Sequence, residues 1–287
     1  MDRKVVLITG TNSGFGWLTA QSVAALGHKV YATMRDISGK NAEKAKTLEE
    51  MENITVLDVS LTDEQSVKTA FNKIIAAEGT IDVLVNNAGI SMFGLAETAT
   101  PADLQHMLDV NTVAPWRLMK LALPFMRKQS EGLIINVSSG WGRFSAPLST
   151  VYASSKFALE GLSEGLHYEL RSSGVDVAII QPGAFPTEMS QKLAVGSDPS
   201  VSGDYQAIAD LPDKMFTALG EIFEKGKPNP QDVADAVVKL ISTPQGQRPL
   251  RTVVDQSTGH IVEAANEAVA SQYRNVLTAF GMQNLLV

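Results

Sequence analysis

The chain has 287 residues, 44% of them hydrophobic and 19% charged, enough apolar material for a sizeable core, which excludes a disordered tail or a small disulfide-stapled module. Its 24 Lys and Arg against 31 Asp and Glu give a formal charge of -7, which repels a phosphate backbone and argues against nucleic acid as a partner. Without any cysteine, disulfides, thiolate metal sites and a cysteine nucleophile are excluded, in keeping with a reducing compartment.

At the start, Met1-Asp2-Arg3-Lys4 leads into four strongly apolar residues before Thr9-Gly10, too few for a signal peptide. No later run reaches the roughly 18 apolar residues of a membrane span, so a soluble, cytoplasmic protein is expected. From there strand-like and helix-like segments alternate. Val5 to Ile8 reads as a first strand, followed by the glycine-rich turn Thr9 to Gly16 and a helix from Trp17 to Leu26. Val30 to Ala32 is a second strand running into Thr33-Met34-Arg35-Asp36, and Ile54 to Leu57 a third, followed by Asp58 and Val59. Val83 to Val85 runs into Asn86-Asn87-Ala88-Gly89. Thr100-Pro101, a capping side chain before a proline, opens a helical segment running toward Lys128. Leu133 to Val137 is a fifth strand with Ser139 after it, and Tyr152-Ala153-Ser154-Ser155-Lys156 opens the next helix. Val177 to Ile180 is a sixth, followed by Pro182-Gly183 and Thr187. An irregular excursion covers 188–227, Asn229-Pro230 starts another capped helix, and Thr252 to Val254 is a seventh strand. The continuous apolar runs read as strands buried on both faces. The fold expected is therefore α/β, a doubly wound, Rossmann-type parallel sheet of seven strands with helices on both faces, in one dinucleotide-binding domain over 1–287.

Three glycines at a strand-to-helix turn let the backbone approach a pyrophosphate while the helix N-terminus offers N–H donors and positive dipole. Alone the turn is weak, because tight strand-to-helix packing also needs glycine, and the spacing G-x-x-x-G-x-G departs from the common dinucleotide fingerprint. A tyrosine four residues before a lysine is by itself a surface pair. Together, the T-G-x-x-x-G-x-G turn, Asn86 to Gly89, Ser139, Tyr152 to Lys156, and Pro182-Gly183 with Thr187 occur in order. In that set the chain resembles the short-chain dehydrogenase/reductase family, from about residue 4 to 260. Ala32 to Asp36 and Arg248 to Arg251 look similar to its branch of hydroxysteroid and retinoid dehydrogenases and microbial carbonyl reductases.

The resemblance implies a cofactor site in which Gly10, Asn12, Ser13, Gly14, Phe15 and Gly16 border the pyrophosphate. Asp58 and Val59 lie at the adenine, Asn87, Ala88 and Gly89 at the ribose, and Pro182, Gly183 and Thr187 at the nicotinamide, with Tyr152 and Lys156 also in contact. The carboxylate that NAD-selective members place at the end of the second strand is missing, Thr33 or Met34 standing there, and Arg35 follows. This predicts NADP(H) as the preferred cofactor, with NAD(H) possible. Asp36 is a complication, since it could pair with Arg35 or reach the ribose.

Hydride transfer to a carbonyl leaves an alkoxide that needs a proton and a donor that polarises the oxygen. Tyr152 is the expected acid, its pKa brought down by Lys156 one helical turn on. Ser139 is the expected oxygen donor, and by resemblance Asn111 supports a proton relay, although a helical asparagine also bonds backbone locally. His28, His106, His167 and His260 match no metal spacing, and no metal is expected. The reading is an NADP(H)-dependent oxidoreductase interconverting a ketone or aldehyde with its alcohol. Its substrate is a small carbonyl or alcohol compound, apolar because Met189, Leu193, Tyr205, Met215, Phe216, Leu219 and Phe223 would line a lid over 188–227. A nucleotide-sensing regulator with the same fold is the alternative, and a homodimer or homotetramer is implied by resemblance.

Overall fold

A computed structural model describes residues 2–286, apart from the side chain of Gln191. The strands are β1 (Val5–Thr9), β2 (Lys29–Met34), β3 (Ile54–Asp58), β4 (Val83–Asn86), β5 (Gly132–Val137), β6 (Val175–Pro182) and β7 (Arg251–Val254). They form one sheet in the order β3-β2-β1-β4-β5-β6-β7, every pairing parallel. The helices are α1 (Gly14–Ala25), α2 (Ala42–Glu49), α3 (Glu64–Glu78), α4 (Pro101–Leu108), α5 (Ala114–Gln129), α6 (Thr150–Glu169), α7 (Glu188–Gln191), α8 (Leu211–Gly226), α9 (Gln231–Ser242) and α10 (Gly259–Ala279).

Why the apolar runs become strands is visible in their burial: β1, β4 and β5 are buried at every position. Alternate side chains feed two cores. Val6, Ile8, Val85 and Ile135 pack with α1, α2 and α9 on one face, whereas Leu7, Leu84 and Ile134 pack with α3, α5 and α6 on the other. Each fully buried aliphatic side chain contributes about 1.5–3 kcal/mol, so this double coverage is the main stabilising element. The strand order reverses between β1 and β4, which opens a crevice at the carboxyl ends of the strands.

Two helix expectations are refined. The segment from Pro101 is not one helix: it starts with a capping box between Thr100 and Asp103, then widens into a π-helical turn at Asp109–Val113 before α5 continues. At Asn229-Pro230 the proline is the cap and not the first helical residue, and the Asn229 side chain accepts from the Gln231 N–H at 3.1 Å.

The excursion over 188–227 is more ordered than its turn-rich sequence suggests, holding α7, 3-10 turns at Pro199–Asp204 and Gln206–Ile208, and α8. A one-residue bridge joins Met92 to Ala194, Tyr205 donates to Glu97 at 2.6 Å, and Phe216 stacks on Phe93 at 4.9 Å between centroids. Asp103 anchors it as well, accepting from the Ser197 N–H at 3.1 Å and hydroxyl at 2.6 Å while also serving the cap of α4. These donors, Ser197 first, hold the Asp103 carboxyl well below the usual carboxylate range. A carboxyl depressed by folding adds stability above its unfolded pKa and loses it as the pH falls toward the folded one, so this anchor persists at neutral pH and fails only in acid.

Asp103→Ala is expected to release the 194–205 stretch while leaving the sheet intact. Limited proteolysis at neutral pH, read by mass spectrometry, should show cleavage there several-fold faster than in the wild type; an unchanged rate would assign the anchoring to Glu97 and the Met92 bridge.

Candidate active site

The crevice is built from the glycine turn outward. The Thr9 hydroxyl accepts from the N–H groups of Asn87 and Ala88, each at 3.0 Å. The Asn87 amide donates to the carbonyls of Thr9 at 2.8 Å and Gly10 at 3.2 Å, so Asn87 fastens the end of β4 to the turn. Gly10 and Gly14 have φ of +70° and +56°, and a Cβ at Gly10 would stand 2.7 Å from the Ala88 Cα. At Gly16 a Cβ would meet the Gly10 carbonyl oxygen at 2.3 Å, which leaves glycine as the residue that fits. Gly14 lies against Thr187, whose Cβ would be 3.5 Å from an added Cβ. Ser13 caps α1 by backbone position, yet its side chain makes no cap hydrogen bond. The first-turn N–H groups have no intrahelical acceptor by geometry, so they and the positive end of the dipole suit a pyrophosphate. Asn12 is half-buried in the same turn, while the Phe15 ring packs edge-on against Phe185 at 5.3 Å as part of the core.

At the end of β2, Thr33 and Met34 are buried and Arg35 is exposed. Asp36, at φ +54°, folds its carboxylate back onto its own turn, where it accepts from the Lys40 N–H at 2.8 Å. No ion pair between Arg35 and Asp36 occurs among the described residues. The Asp58 oxygens accept from the N–H groups of Asp36 at 3.0 Å and Ile37 at 3.4 Å, so this residue shapes the loop carrying Arg35. Val59 is buried against the α3 side of the sheet.

At the other end of the crevice, α6 brings Tyr152 and Lys156 together, 9% and 3% exposed. The Lys156 ammonium donates to the Val137 carbonyl at 2.9 Å and stands 5.8 Å from the centre of the Tyr152 ring. Ser139 begins a 3-10 turn at Gly140–Gly142, its hydroxyl accepting from the Trp141 N–H at 3.2 Å and in hydrogen-bond contact with the Tyr152 hydroxyl. Asn111 sits in the π-helical turn: its oxygen accepts from the Ile90 N–H at 2.9 Å, and its nitrogen donates to the Ile90 carbonyl and the Ser155 hydroxyl, both at 2.9 Å. A Cβ on Gly89 would lie 3.2 Å from the Asn111 oxygen and 3.7 Å from the Lys156 nitrogen, so glycine permits the close approach of these groups. Pro182 ends β6, and Gly183 donates to the Val254 carbonyl at 3.0 Å with Asp255 packed where a side chain would go. Met92 and Met107 pack against Tyr152, and Trp141 and Phe144 are partly exposed.

In the cofactor-free protein, burial dominates the charge behaviour of this pair. Burial pushes the Tyr152 phenol up to about 12, with the Ser139 contact opposing. Burial also brings Lys156 down to about 8, with Glu160 opposing. The reason is geometric: the ammonium is turned toward the Val137 carbonyl, and desolvation of both groups exceeds the attraction across the gap. Sequence reasoning also passed over Glu160, which is 2% exposed, pairs with Arg251 at 2.9 Å and accepts from Gln181 at 2.9 Å. Its available signal was a glutamate four residues beyond Lys156 on the same helix face.

Comparison with known proteins is consistent along the chain. The family model for short chain dehydrogenases matches residues 4–197. A 3-ketodihydrosphingosine reductase of Bacteroides thetaiotaomicron is 34% identical over 257 residues, 88% of this chain and 88% of that protein. Retinol dehydrogenase 8 of Bos taurus is 34% identical over 254 residues, 86% of this chain and 80% of that protein. Among solved structures, a short chain dehydrogenase/reductase of Burkholderia phymatum in complex with NAD superposes with a TM-score of 0.77 at 26% identity, covering 94% of this chain and 95% of that one. With this match and these identities, the chain belongs to the short-chain dehydrogenase family of oxidoreductases.

Proposed function

We propose that the protein is an NADP(H)-dependent reductase or dehydrogenase that interconverts an apolar ketone or aldehyde with its alcohol. The observation that carries this reading is the half-buried Ser139 hydroxyl set against the buried Tyr152 phenol, with buried Lys156 one helical turn on. When bound, the nicotinamide supplies the hydride or takes it up. The Ser139 hydroxyl donates to the carbonyl oxygen and polarises it, and Tyr152 gives its proton to the alkoxide that forms. A phenol held up to about 12 stays protonated at neutral pH, the form that carbonyl reduction needs. Lys156 supplies positive charge beside the phenolate left behind, and Asn111 holds the loop after β4 against α6 through Ile90 and Ser155. A nucleotide-sensing regulator is less well supported, since it has no use for Ser139 beside a buried tyrosine and lysine.

Cofactor selectivity rests on the end of β2. Binding a 2′-phosphate calls for a cation and no competing carboxylate, and Arg35 is exposed there while Asp36 is engaged with its own turn. The N-terminus of α1 with Gly10, Ser13 and Gly14 would hold the pyrophosphate, and Thr187, which lies against Gly14, would meet the nicotinamide end. For the substrate, Met189, Phe93 and Phe216 bring apolar surface toward the crevice mouth, and residues 188–227 serve as its lid. The names of the two relatives, a reductase of 3-ketodihydrosphingosine and a dehydrogenase of retinol, fit a ketone–alcohol exchange on an apolar skeleton. A cytoplasmic homodimer or homotetramer completes the proposal.

The test is NADPH consumption across a panel of bulky apolar ketones and sugars. The ketones are expected to turn over faster, and Tyr152→Phe to bind cofactor but lose at least about 10²-fold in turnover, the usual scale for a positioned acid. Wild-type turnover in Tyr152→Phe would contradict the mechanism, and a preference for a charged sugar would contradict the substrate class. Arg35→Ala should lose roughly ten- to 150-fold in kcat/KM with NADPH and little with NADH, as for loss of a charge-assisted fork. An unchanged ratio of the two would place the selectivity elsewhere.

A further inference from the structure

Behind the Ser139 turn lies a buried polar cluster that the catalytic reading leaves unused. The Glu160 carboxylate of α6, 2% exposed, accepts from Arg251 of β7 at 2.9 Å through one oxygen and from Gln181 of β6 at 2.9 Å through the other. Arg251 also donates to Glu164 at 3.1 Å, and Asn266 of α10 donates to Gln181 at 2.7 Å. The cluster reaches the reacting end directly: a Cβ on Gly142 would stand 2.9 Å from the Glu160 Cγ and 2.6 Å from the Ser138 hydroxyl, so the Ser139 turn rests on the Glu160 side chain.

We propose that Glu160 is a positioning residue of the active site: clamped by Arg251 and Gln181, it fixes α6 against β6 and β7, supports the Ser139 turn, and sets a buried negative charge one helical turn beyond Lys156. This rests on the reading of Tyr152 and Lys156 given above. A buried ion pair gains little stability over apolar residues of the same volume, so a pair at this place points to a use of the charge. The use is local. The groups facing the Lys156 nitrogen are the Val137 carbonyl of β5, the neutral Asn111 oxygen and Gly89, with Tyr152 and Glu160 on its own helix. Glu160 is the charge that acts on Lys156, and it favours the ammonium form against burial. Glu160 itself faces Arg251 and Arg143, and Glu164 shares Arg251 with it.

The experiment titrates protein labelled with ¹³C-lysine, following the Cε shift of Lys156, identified by its loss in Lys156→Arg. Glu160→Gln keeps the shape and the contact with Gln181, and Arg251 keeps Glu164. Its Lys156 midpoint is expected to fall by about half a pH unit or more, as for removal of a buried opposite charge. The alkaline limb of ketone reduction should move down with it. The double variant Glu160→Gln/Arg251→Met, which removes Arg251 together with the carboxylate it clamps, guards against misfolding of the single one. It should melt near the wild type and keep a lowered midpoint. Midpoints unchanged in the folded variants would overturn the proposal, whatever their turnover, because a purely structural clamp would alter stability and rate without moving the titration. The Tyr152→Phe assay separates the two readings. If that variant is inactive and the midpoints do not move, the role of Glu160 alone fails; if it remains active, the assignment of the site fails, and the catalytic meaning of Glu160 with it.

Discussion

Taking a phenol and an ammonium out of water at the same place is the constraint to which the rest of this structure answers. Removing an ion from water costs several kcal/mol even after relaxation, so Lys156 is tolerated only with its nitrogen bonded to the Val137 carbonyl and a carboxylate one turn away. Tyr152 meets the same burial by remaining a phenol and sharing its hydroxyl with Ser139. Gly89 and Asn111 close the space over the lysine, and Met92 and Met107 close it over the tyrosine ring. Each neighbour excludes water while meeting a polar group, which is how a low-dielectric site is held in one arrangement.

The sheet supplies the coordinates for this. Ser139 follows β5, Gly89 follows β4, the glycine turn follows β1 and Thr187 follows β6, so parallel register delivers all four to one edge. Asn87 and Thr9 then lock two of those loops to each other. The pyrophosphate end and the carbonyl end make opposite demands: open N–H groups and glycine backbones at one, buried side chains with satisfied partners at the other. A reversal of strand order between β1 and β4 lets a single crevice meet both.

Much of this was legible in the sequence because its signals are local. Val5 to Ile8 and Leu133 to Val137 read as strands since unbroken apolar runs have no other place than between two helix layers. Thr100-Pro101 and Tyr152 to Lys156 likewise carry their geometry in a few adjacent residues. Other features have no local signal. The π-helical turn that presents Asn111 interrupts a pattern that reads as one continuous helix. The Glu160–Arg251 pair joins positions 91 residues apart, which no window of sequence shows. The direction of the Tyr152 shift in the cofactor-free protein depends on how deeply the helix is buried and where the lysine turns, which the i,i+4 spacing does not carry. The helices within 188–227 form under glycine- and serine-rich turns because Asp103, Glu97 and Phe93 tie that segment down from outside it.

The balance between burial and charge at Tyr152 can be read without turnover. Tyrosinate absorbance of the cofactor-free protein, recorded as the difference between wild type and Tyr152→Phe during a pH titration, isolates this phenol. Burial that dominates predicts no Tyr152 ionisation through pH 10, the ordinary tyrosine midpoint being about 10, with the phenol retained toward 12 while the protein stays folded. A Tyr152 signal that ionises below that ordinary midpoint in the free protein would show that Lys156 already governs it, and would contradict the account given of the site.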